Sequence, residues 1–159
     1  DRAGRISFFS EAPLENISAV TEAAASAVDT AKREIAFKVP IGTFSFEKKL
    51  MQEHFNENYL ETDRYPHATF TGRFTGTVDW SRDGSYLVTV TGTLDLHGVR
   101  RPYSVPATFA IADRVIRATA AFRIRLADHQ IKVPRIVIRN IAEEVDVQVS
   151  ATYPLQQVH

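Results

Sequence analysis

Strict alternation of apolar and polar residues recurs along most of the chain, and it constrains the fold more than any other feature. The clearest run covers residues 86–96, where apolar residues or glycine occupy one face and mostly threonine the other. A period of two residues is typical of a strand with one buried face. The same period predicts strands over residues 5–9, 35–41, 68–74, 103–111, 116–126 and 145–153. Many short strands in succession predict an antiparallel all-β domain.

Turn residues mark where the alternation stops. Residues 81–85 and residues 97–102 combine glycine with polar residues between two predicted strands, so each predicts a hairpin. The alternation also breaks over residues 127–144, and Pro134 lies inside that stretch. Because proline has no amide hydrogen to donate, it excludes a central strand there. We expect an irregular crossing segment with apolar anchors.

Two stretches have helical character. Over residues 46–55 the apolar residues recur at helical spacing, which predicts one short amphipathic helix that covers an end of the sheet structure. These residues are Phe46, Leu50, Met51 and Phe55. Residues 14–29 contain a run of three alanines, so local propensity taken alone favours a helix there as well.

Length and composition limit the classes of protein that fit. A chain of 159 residues is suited to a single domain over residues 1–159. Its 19 basic and 19 acidic residues balance, which argues against a general nucleic-acid binder. The absence of cysteine excludes disulfides and thiolate metal sites. No apolar run approaches the length of about 18 residues that a transmembrane helix needs.

The five histidines are the best candidates for metal ligands or bases, but their spacing does not support either role. They are His54, His67, His97, His129 and His159, and no two of them form an HxH or HxxxH pair. We interpret each as a surface or turn histidine. Serine-nucleophile motifs and glycine-rich phosphate loops are also missing. The sequence therefore predicts no metal site and no catalytic residue.

A basic stretch lies late in the chain. Between residues 113 and 139 there are seven basic and two acidic residues. Such a stretch could attract an anionic head group or membrane surface, or it could be the solvated outer face of strands. We favour the outer face, because Arg117, Arg123 and Arg125 lie opposite an apolar row.

Aromatic residues dominate the predicted inward rows and the region around the helix. Small residues lie between them in the same rows: Ala68, Gly72, Gly92, Ala107, Ala118 and Ala120. Small inward residues leave more room than a tightly packed core requires. Because a barrel of about eight strands can either fill with side chains or enclose one ligand, a cavity is possible.

Two segments carry a family resemblance. Residues 51–70 contain an acidic residue and histidine before an aromatic-rich turn, followed by Tyr-Pro-x-Ala-x-Phe. Residues 90–102 contain Gly-x-Leu-x-x-His-Gly-Val-x-x-Pro. In this order the motifs resemble the YceI-like family, which comprises bacterial polyisoprenoid-binding proteins of lipocalin-like fold. The resemblance extends from about residue 4 to residue 153.

The resemblance implies an antiparallel up-and-down lipocalin-like β-barrel of about eight strands, with the short helix over one end. It also implies that residues 17–29 form a strand paired with residues 34–41 through a turn at 29–32, against local propensity. The family motif residues are expected to be structural: His54, Tyr65, Pro66, Gly92, His97, Gly98 and Pro102.

The function implied by the resemblance is non-enzymatic binding or carriage of an apolar lipid, such as a polyisoprenoid or an isoprenoid quinone. No other cofactor is expected. The residues expected to line the cavity are Phe37, Val39, Phe44, Phe46, Leu50, Met51, Phe55, Tyr59, Phe70, Phe74, Leu94, Phe109, Phe122 and Ile124. Two alternatives are a barrel enzyme with an inward histidine or carboxylate, and a filled barrel that serves as an interaction module. The resemblance further implies a periplasmic or secreted location with a signal peptide already removed, and a homodimer is compatible with the sequence.

Overall fold

The computed structural model of the chain describes residues 4–10, 17–131 and 144–155. Eight of its strands are long, and a ninth has two residues. The strands are β1 (Gly4–Ser10), β2 (Ile17–Asp29), β3 (Glu34–Pro40), β4 (Ser45–Phe46), β5 (His67–Thr75), β6 (Gly84–Leu96), β7 (Val99–Ala112), β8 (Val115–Arg125) and β9 (Glu144–Pro154). The helical elements are a 3₁₀ turn at Ile41–Thr43, α1 at Lys49–His54, a π-helical turn at Phe55–Tyr59 and a 3₁₀ turn at Leu126–His129.

The long strands form one closed antiparallel barrel. Each long strand pairs with the next long strand along the chain, and β1 pairs with both β9 and β2, so that the sheet closes on itself. The short β4 adds to the first part of β2. The predicted all-β, up-and-down, lipocalin-like architecture is confirmed, and closure leaves each long strand with a pairing partner on both sides.

Strand β2 is confirmed where local propensity favours a helix. Its first half pairs with β1 and β4, and its second half pairs with β3 from Ala25–Lys38 to Asp29–Glu34. The register of the β1–β2 ladder shifts between Gly4 and Ile6. Gly4 pairs with Ala24, which is completely buried. The alanines suit this close approach of two backbones, and pairing on both sides outweighs their helical preference.

The helix covers one end of the barrel, but its position differs from the prediction. It begins at Lys49 and not at Phe46, which lies in β4, and it continues beyond His54 as the π-helical turn. In that turn the Leu60 amide donates to the Phe55 carbonyl. The longer repeat brings Phe55, Tyr59 and Leu60 to the buried side together. None of the helices within the described ranges is long and apolar enough to cross a bilayer.

Two hairpins flank β6. The predicted turn at 97–102 is tighter than expected: only His97 and Gly98 connect β6 to β7, with φ of 56° and 73°. Two successive positive φ angles match the twist of the paired strands. The connection between β5 and β6 covers residues 76–83, so it starts before the predicted turn at 81–85 and ends where β6 begins at Gly84.

Strands β7 and β8 separate towards the capped end. They pair only from Ala107–Ala120 to Ala112–Val115, although β7 begins at Val99. Pro102 and Pro106 lie in the part of β7 that has no partner in β8, where a missing amide donor costs little. The 3₁₀ turn at Leu126–His129 packs against this part of β7. Of the predicted crossing segment 127–144, residues 127–129 belong to this 3₁₀ turn, residues 130 and 131 follow without regular structure, and Glu144 begins β9. Pro134 and the other residues of 132–143 lie outside the described residues.

Candidate ligand-binding cavity

The barrel encloses a cavity of about 250 Å³. Inward side chains of the long strands β1, β3 and β5–β9 form its wall, and the π-helical turn and the residues after β8 complete it. Side chains of the wall are almost all aliphatic or aromatic, and no charged side chain of the described residues belongs to it. The volume lies just below the range of about 300–1,000 Å³ usual for small-molecule pockets. The space therefore accepts an apolar molecule or an apolar part of one.

Most of the side chains expected around the cavity lie in its wall. These are Phe37, Val39, Phe44, Phe46, Met51, Phe55, Tyr59, Phe70, Leu94, Phe109, Phe122 and Ile124. Strand alternation and the aromatic content of the helical region were sufficient to place them.

Leu50 and Phe74 were also expected to line the cavity, but they are not part of its wall. The side chain of Leu50 is 66% exposed, because α1 starts three residues later than predicted and turns this position towards solvent. Phe74 points inward, but it is packed into the end of the barrel opposite the helix and does not line the cavity. Its ring meets Phe109 edge-on with centroids 5.0 Å apart, and Trp80 at 6.1 Å.

A basic side chain closes that far end. The Arg33 guanidinium lies 5.4 Å from the centre of the Phe74 ring and donates hydrogen bonds to the Phe74 and Gly76 carbonyls. Arg33 itself has a positive φ of 59° in the β2–β3 turn. The cavity is therefore sealed by aromatic packing at this end, with the cation on the outside.

The capped end is built from four phenylalanines. Phe55 of the π-helical turn stacks on Phe8 of β1 at 5.5 Å and contacts Phe44 and Phe46 at 5.9 and 4.9 Å. Phe8 was not among the predicted lining residues, although it belongs to the strand predicted at residues 5–9. Alternation alone indicates its face, but not that β1 closes the barrel next to the helix.

A buried histidine connects the wall to the 3₁₀ turn. His129 lies in the 3₁₀ turn, in line with its interpretation as a surface or turn histidine, but it is completely buried and not exposed. Its Nδ1–H donates to the Val99 carbonyl at 3.0 Å, and Nε2 accepts from the Tyr103 hydroxyl at 2.8 Å. Tyr103 lines the cavity. Burial lowers the pKa of His129, against the opposing effect of its backbone hydrogen bonds with Val99 and Leu96.

His97, one of the family-motif residues, connects the strands to the helical cap, by which we mean α1, the π-helical turn and the residues up to Tyr65. Its Nε2 lies 2.6 Å from Oε2 of Glu61, just after the π-helical turn, and its Nδ1 lies 3.1 Å from the His129 carbonyl. The Glu61 carboxylate and the His129 carbonyl are both hydrogen-bond acceptors, so His97 is held between the residues that follow the π-helical turn and the 3₁₀ turn after β8. The ring also meets the edge of Tyr65 at 4.7 Å.

The contacts of His97 with Glu61, Tyr65 and the His129 carbonyl form a clamp between the helical cap and the strands. The other motif residues also make structural contacts. A Cβ atom at Gly98 would come within 2.6 Å of the Tyr65 ring, so the glycine is required by space as well as by φ. The Pro66 carbonyl accepts from the Ile41 amide, and the His54 ring stacks on Tyr59 at 6.3 Å. Gly92 lies opposite Gly72 in the β5–β6 ladder.

Little in the cavity supports bond-making chemistry. None of the four described histidines belongs to its wall, and the described residues contain no cluster of three groups suited to hold a metal. Interior hydroxyls come from Tyr59 and Tyr103, and burial raises the pKa of both, so both remain protonated. Thr69 and Thr119 also contribute to the wall, but they are exposed on the outer face.

The fold and this interior together define a small lipocalin-like barrel with an apolar central cavity. A family model described as the YceI-like domain matches residues 4–153, and the chain belongs to this family.

Comparison with solved structures finds the same fold in distant sequences. A polyisoprenoid-binding domain from Saccharophagus degradans, implicated in plant cell wall breakdown, superimposes with a TM-score of 0.81 at 19% identity, covering 98% of this chain and 95% of that one. BcnA of Burkholderia cenocepacia gives 0.80 at 16% identity, with coverage of 94% and 96%. The YceI protein of Campylobacter jejuni gives 0.66 at 16% identity, with coverage of 85% and 81%. A comparison with curated proteins finds no significant match.

Proposed function

We propose that the protein binds an apolar lipid inside the barrel and carries it without chemical change. The observation behind this proposal is the apolar cavity, whose described wall contains no charged side chain. A polyisoprenoid or the tail of an isoprenoid quinone has the matching chemistry, and the relative from Saccharophagus degradans is a polyisoprenoid-binding domain. Each buried methylene gains about 0.8 kcal/mol. Because association costs about 4–15 kcal/mol, tail length decides the affinity.

Native mass spectrometry of freshly purified protein, followed by solvent extraction, tests the proposal directly. We expect an apolar molecule that is released by the solvent. A matched pair of variants places it in the cavity: Ala118→Leu adds volume to the wall, whereas Ala121→Leu adds the same volume on the exposed face of the same strand. The proposal requires that Ala118→Leu alone lowers the amount of bound lipid. No bound lipid, together with no uptake of isoprenoid probes, would refute it.

The absence of an enzymatic step is part of the same proposal. Its support is the position of the described histidines outside the cavity wall and the protonated, neutral state of the two interior tyrosines. Mass spectrometry of the extracted lipid before and after prolonged incubation with the protein tests it. An unchanged mass is expected, and a time-dependent product would overturn it.

Location and assembly are proposed as well. The family supports a periplasmic or secreted location, which fractionation of the source cells measures. A homodimer is compatible with the fold, and light scattering coupled to size-exclusion chromatography gives the mass in solution.

A further inference from the structure

Strands β7 and β8 stand apart where the barrel wall surrounds the cavity. Their ladder ends at Ala107–Ala120, so residues 99–106 of β7 and residues 121–125 of β8 have no backbone pairing with each other. Where β2 leaves β3, by contrast, the short β4 replaces β3 as a hydrogen-bonded partner of β2. We call the space between these parts of β7 and β8 the seam. Tyr103 and Phe122, which belong to its two sides, both line the cavity.

Side chains fill the seam, and some of them come from the 3₁₀ turn at Leu126–His129. The Tyr103 ring meets the edge of the Phe122 ring across the seam, with centroids 5.8 Å apart. Leu126 of the turn and Ile131, just after it, also line the cavity, so the turn is part of the cavity wall. Among the described residues, side-chain contacts and not ladder hydrogen bonds keep the seam closed.

The turn is attached to β7 by a small set of hydrogen bonds. On the outside, Nε of Arg101 donates to the Asp128 carbonyl at 2.8 Å. On the inside, the His129 ring bonds the Val99 carbonyl and the Tyr103 hydroxyl. Each is an isolated side-chain contact and not part of a ladder. Because isolated hydrogen bonds are individually weak, separating the turn from β7 is less costly than unpairing two strands.

The two ends of the barrel are closed more firmly than the seam. Phe55 contacts three other phenylalanine rings beneath the helical cap. At the opposite end, Phe74 and Phe109 are completely buried against each other and against Trp80. Opening either end exposes these rings to water, which costs the hydrophobic stabilisation of their buried surface.

We propose that the seam is the entrance to the cavity and that the 3₁₀ turn at Leu126–His129 is the lid that covers it. This inference rests on the proposed lipid-binding function and adds the route by which an apolar molecule reaches the interior. When the turn moves away from β7, the molecule passes between Tyr103 and Phe122, and both strands keep their ladders. Uptake and release share this route, so the contacts of the turn control both rates, whereas the cavity wall controls the affinity.

Two adjacent arginines provide a matched pair of variants. Arg101→Ala removes the contact with the turn, whereas Arg100→Ala removes an ion pair with Asp95 within the β6–β7 hairpin. Both arginines are exposed. The probe is diphenylhexatriene, an uncharged apolar molecule that fluoresces when it leaves water, and stopped-flow fluorescence measures its uptake and release. Arg101→Ala should raise both rates about three- to tenfold at unchanged affinity, the effect of one lost hydrogen bond, and Arg100→Ala should change neither rate.

A covalent tether tests the opposite effect. The chain contains no cysteine, so two introduced thiols are the only thiols that a short bismaleimide can join. In Arg101→Cys/Asp128→Cys the tether crosses the seam and should slow both rates about tenfold or more. Asp95→Cys/Arg100→Cys is the matched control, because these positions are already partners in the β6–β7 ladder and their tether should leave the rates unchanged. Mass spectrometry verifies that each tether has formed.

The results separate the entrance from the proposed function. If the wild-type protein takes up no diphenylhexatriene, the cavity admits no apolar molecule, and the proposed lipid binding is refuted. If it binds the probe, and the protein tethered across the seam exchanges it at the wild-type rate, only the entrance is refuted. Equal rates in the two arginine variants would also overturn the role of the turn as a lid.

Discussion

The hydroxyl of Tyr103 donates to Nε2 of His129 across 2.8 Å, and the opposite nitrogen of the same ring donates to the Val99 carbonyl. These two bonds hold the neutral imidazole in one tautomer. They also join the cavity wall, the unpaired part of β7 and the 3₁₀ turn after β8. The gap where β7 and β8 separate is therefore closed by a histidine and not by strand pairing.

The first prediction removes the tyrosine hydroxyl from this arrangement. Tyr103→Phe leaves the buried Nε2 atom of His129 without a donor, so the free energy of unfolding should fall by about 1–3 kcal/mol. Urea denaturation followed by circular dichroism measures the change. Tyr86→Phe is the control, because the Tyr86 hydroxyl bonds the Arg82 carbonyl at the surface and its loss should cost less than about 0.5 kcal/mol. Equal losses in the two variants would contradict the prediction.

The second prediction concerns pH. Burial lowers the pKa of His129 below its ordinary value of 6.5, so the folded protein binds fewer protons than the unfolded chain in this range. The stabilisation is complete above about pH 6.5 and is lost as the pH falls towards the lowered pKa. The free energy of unfolding should therefore decrease from about pH 7.5 to about pH 5, and less steeply in His129→Gln. Parallel pH profiles of the two proteins, or an NMR titration of His129 at or above 6.5, would contradict this.

Strand alternation was sufficient to predict an antiparallel all-β domain, because inward and outward positions are set by a two-residue period that is local in sequence. The closed up-and-down barrel was predicted from the family resemblance. Alternation also indicated the inward face of seven of the twelve predicted side chains that lie in the cavity wall. The other five come from the aromatic-rich region around the helix. Phe74 follows the same inward row and was still misplaced. Its depth along the barrel depends on Trp80 and Arg33, which come from two different loops.

The burial of His129 could not be predicted from the local sequence pattern. Its burial results from the separation of β7 and β8, a long-range feature with no counterpart in the spacing around the residue. Leu50 was misplaced for a different reason: helical spacing included Phe46, which belongs to β4, and this shifted the predicted buried face of the helix.

The third prediction tests the clamp between the cap and the strands. Glu61→Ala removes the carboxylate that accepts from His97, whereas Glu61→Gln keeps an acceptor without the charge. The His97 side chain is only 10% exposed and that of Glu61 is 35% exposed, so we expect a loss of about 1 kcal/mol for alanine and less for glutamine. Hydrogen exchange should increase in residues 55–65. Glu57→Gln, an exposed change in the same turn, should leave exchange unaltered, and equal exchange in all variants would contradict the clamp.

The fourth prediction tests the orientation of the helix. Phe55 contacts three other phenylalanine rings beneath the cap, so Phe55→Ala should lower the free energy of unfolding by about 3 kcal/mol or more. Leu50 is exposed, and Leu50→Ser should change it by less than about 0.5 kcal/mol. Chemical denaturation of both variants measures the difference. A large loss for Leu50→Ser would restore the buried position that helical spacing predicted.

The last prediction concerns the two glycines that face each other in β5 and β6. A Cβ atom at Gly92 would lie 2.3 Å from the Thr71 carbonyl oxygen, 2.6 Å from the Gly72 Cα atom and 2.7 Å from the Phe70 ring. Two of these neighbours are backbone atoms, which cannot move without separating the strands, so Gly92→Ala should cost about 1–3 kcal/mol. Thermal unfolding of this variant and of Thr93→Ala measures the difference. Thr93 is the exposed neighbouring position, and its replacement should lower the free energy of unfolding by less than about 0.5 kcal/mol. Because the Phe70 ring lies over the glycine pair and lines the cavity, Gly92→Ala should also weaken binding of an isoprenoid probe. A variant with wild-type stability and affinity would show that β5 and β6 tolerate a wider separation, and that the glycine pair is not what positions Phe70.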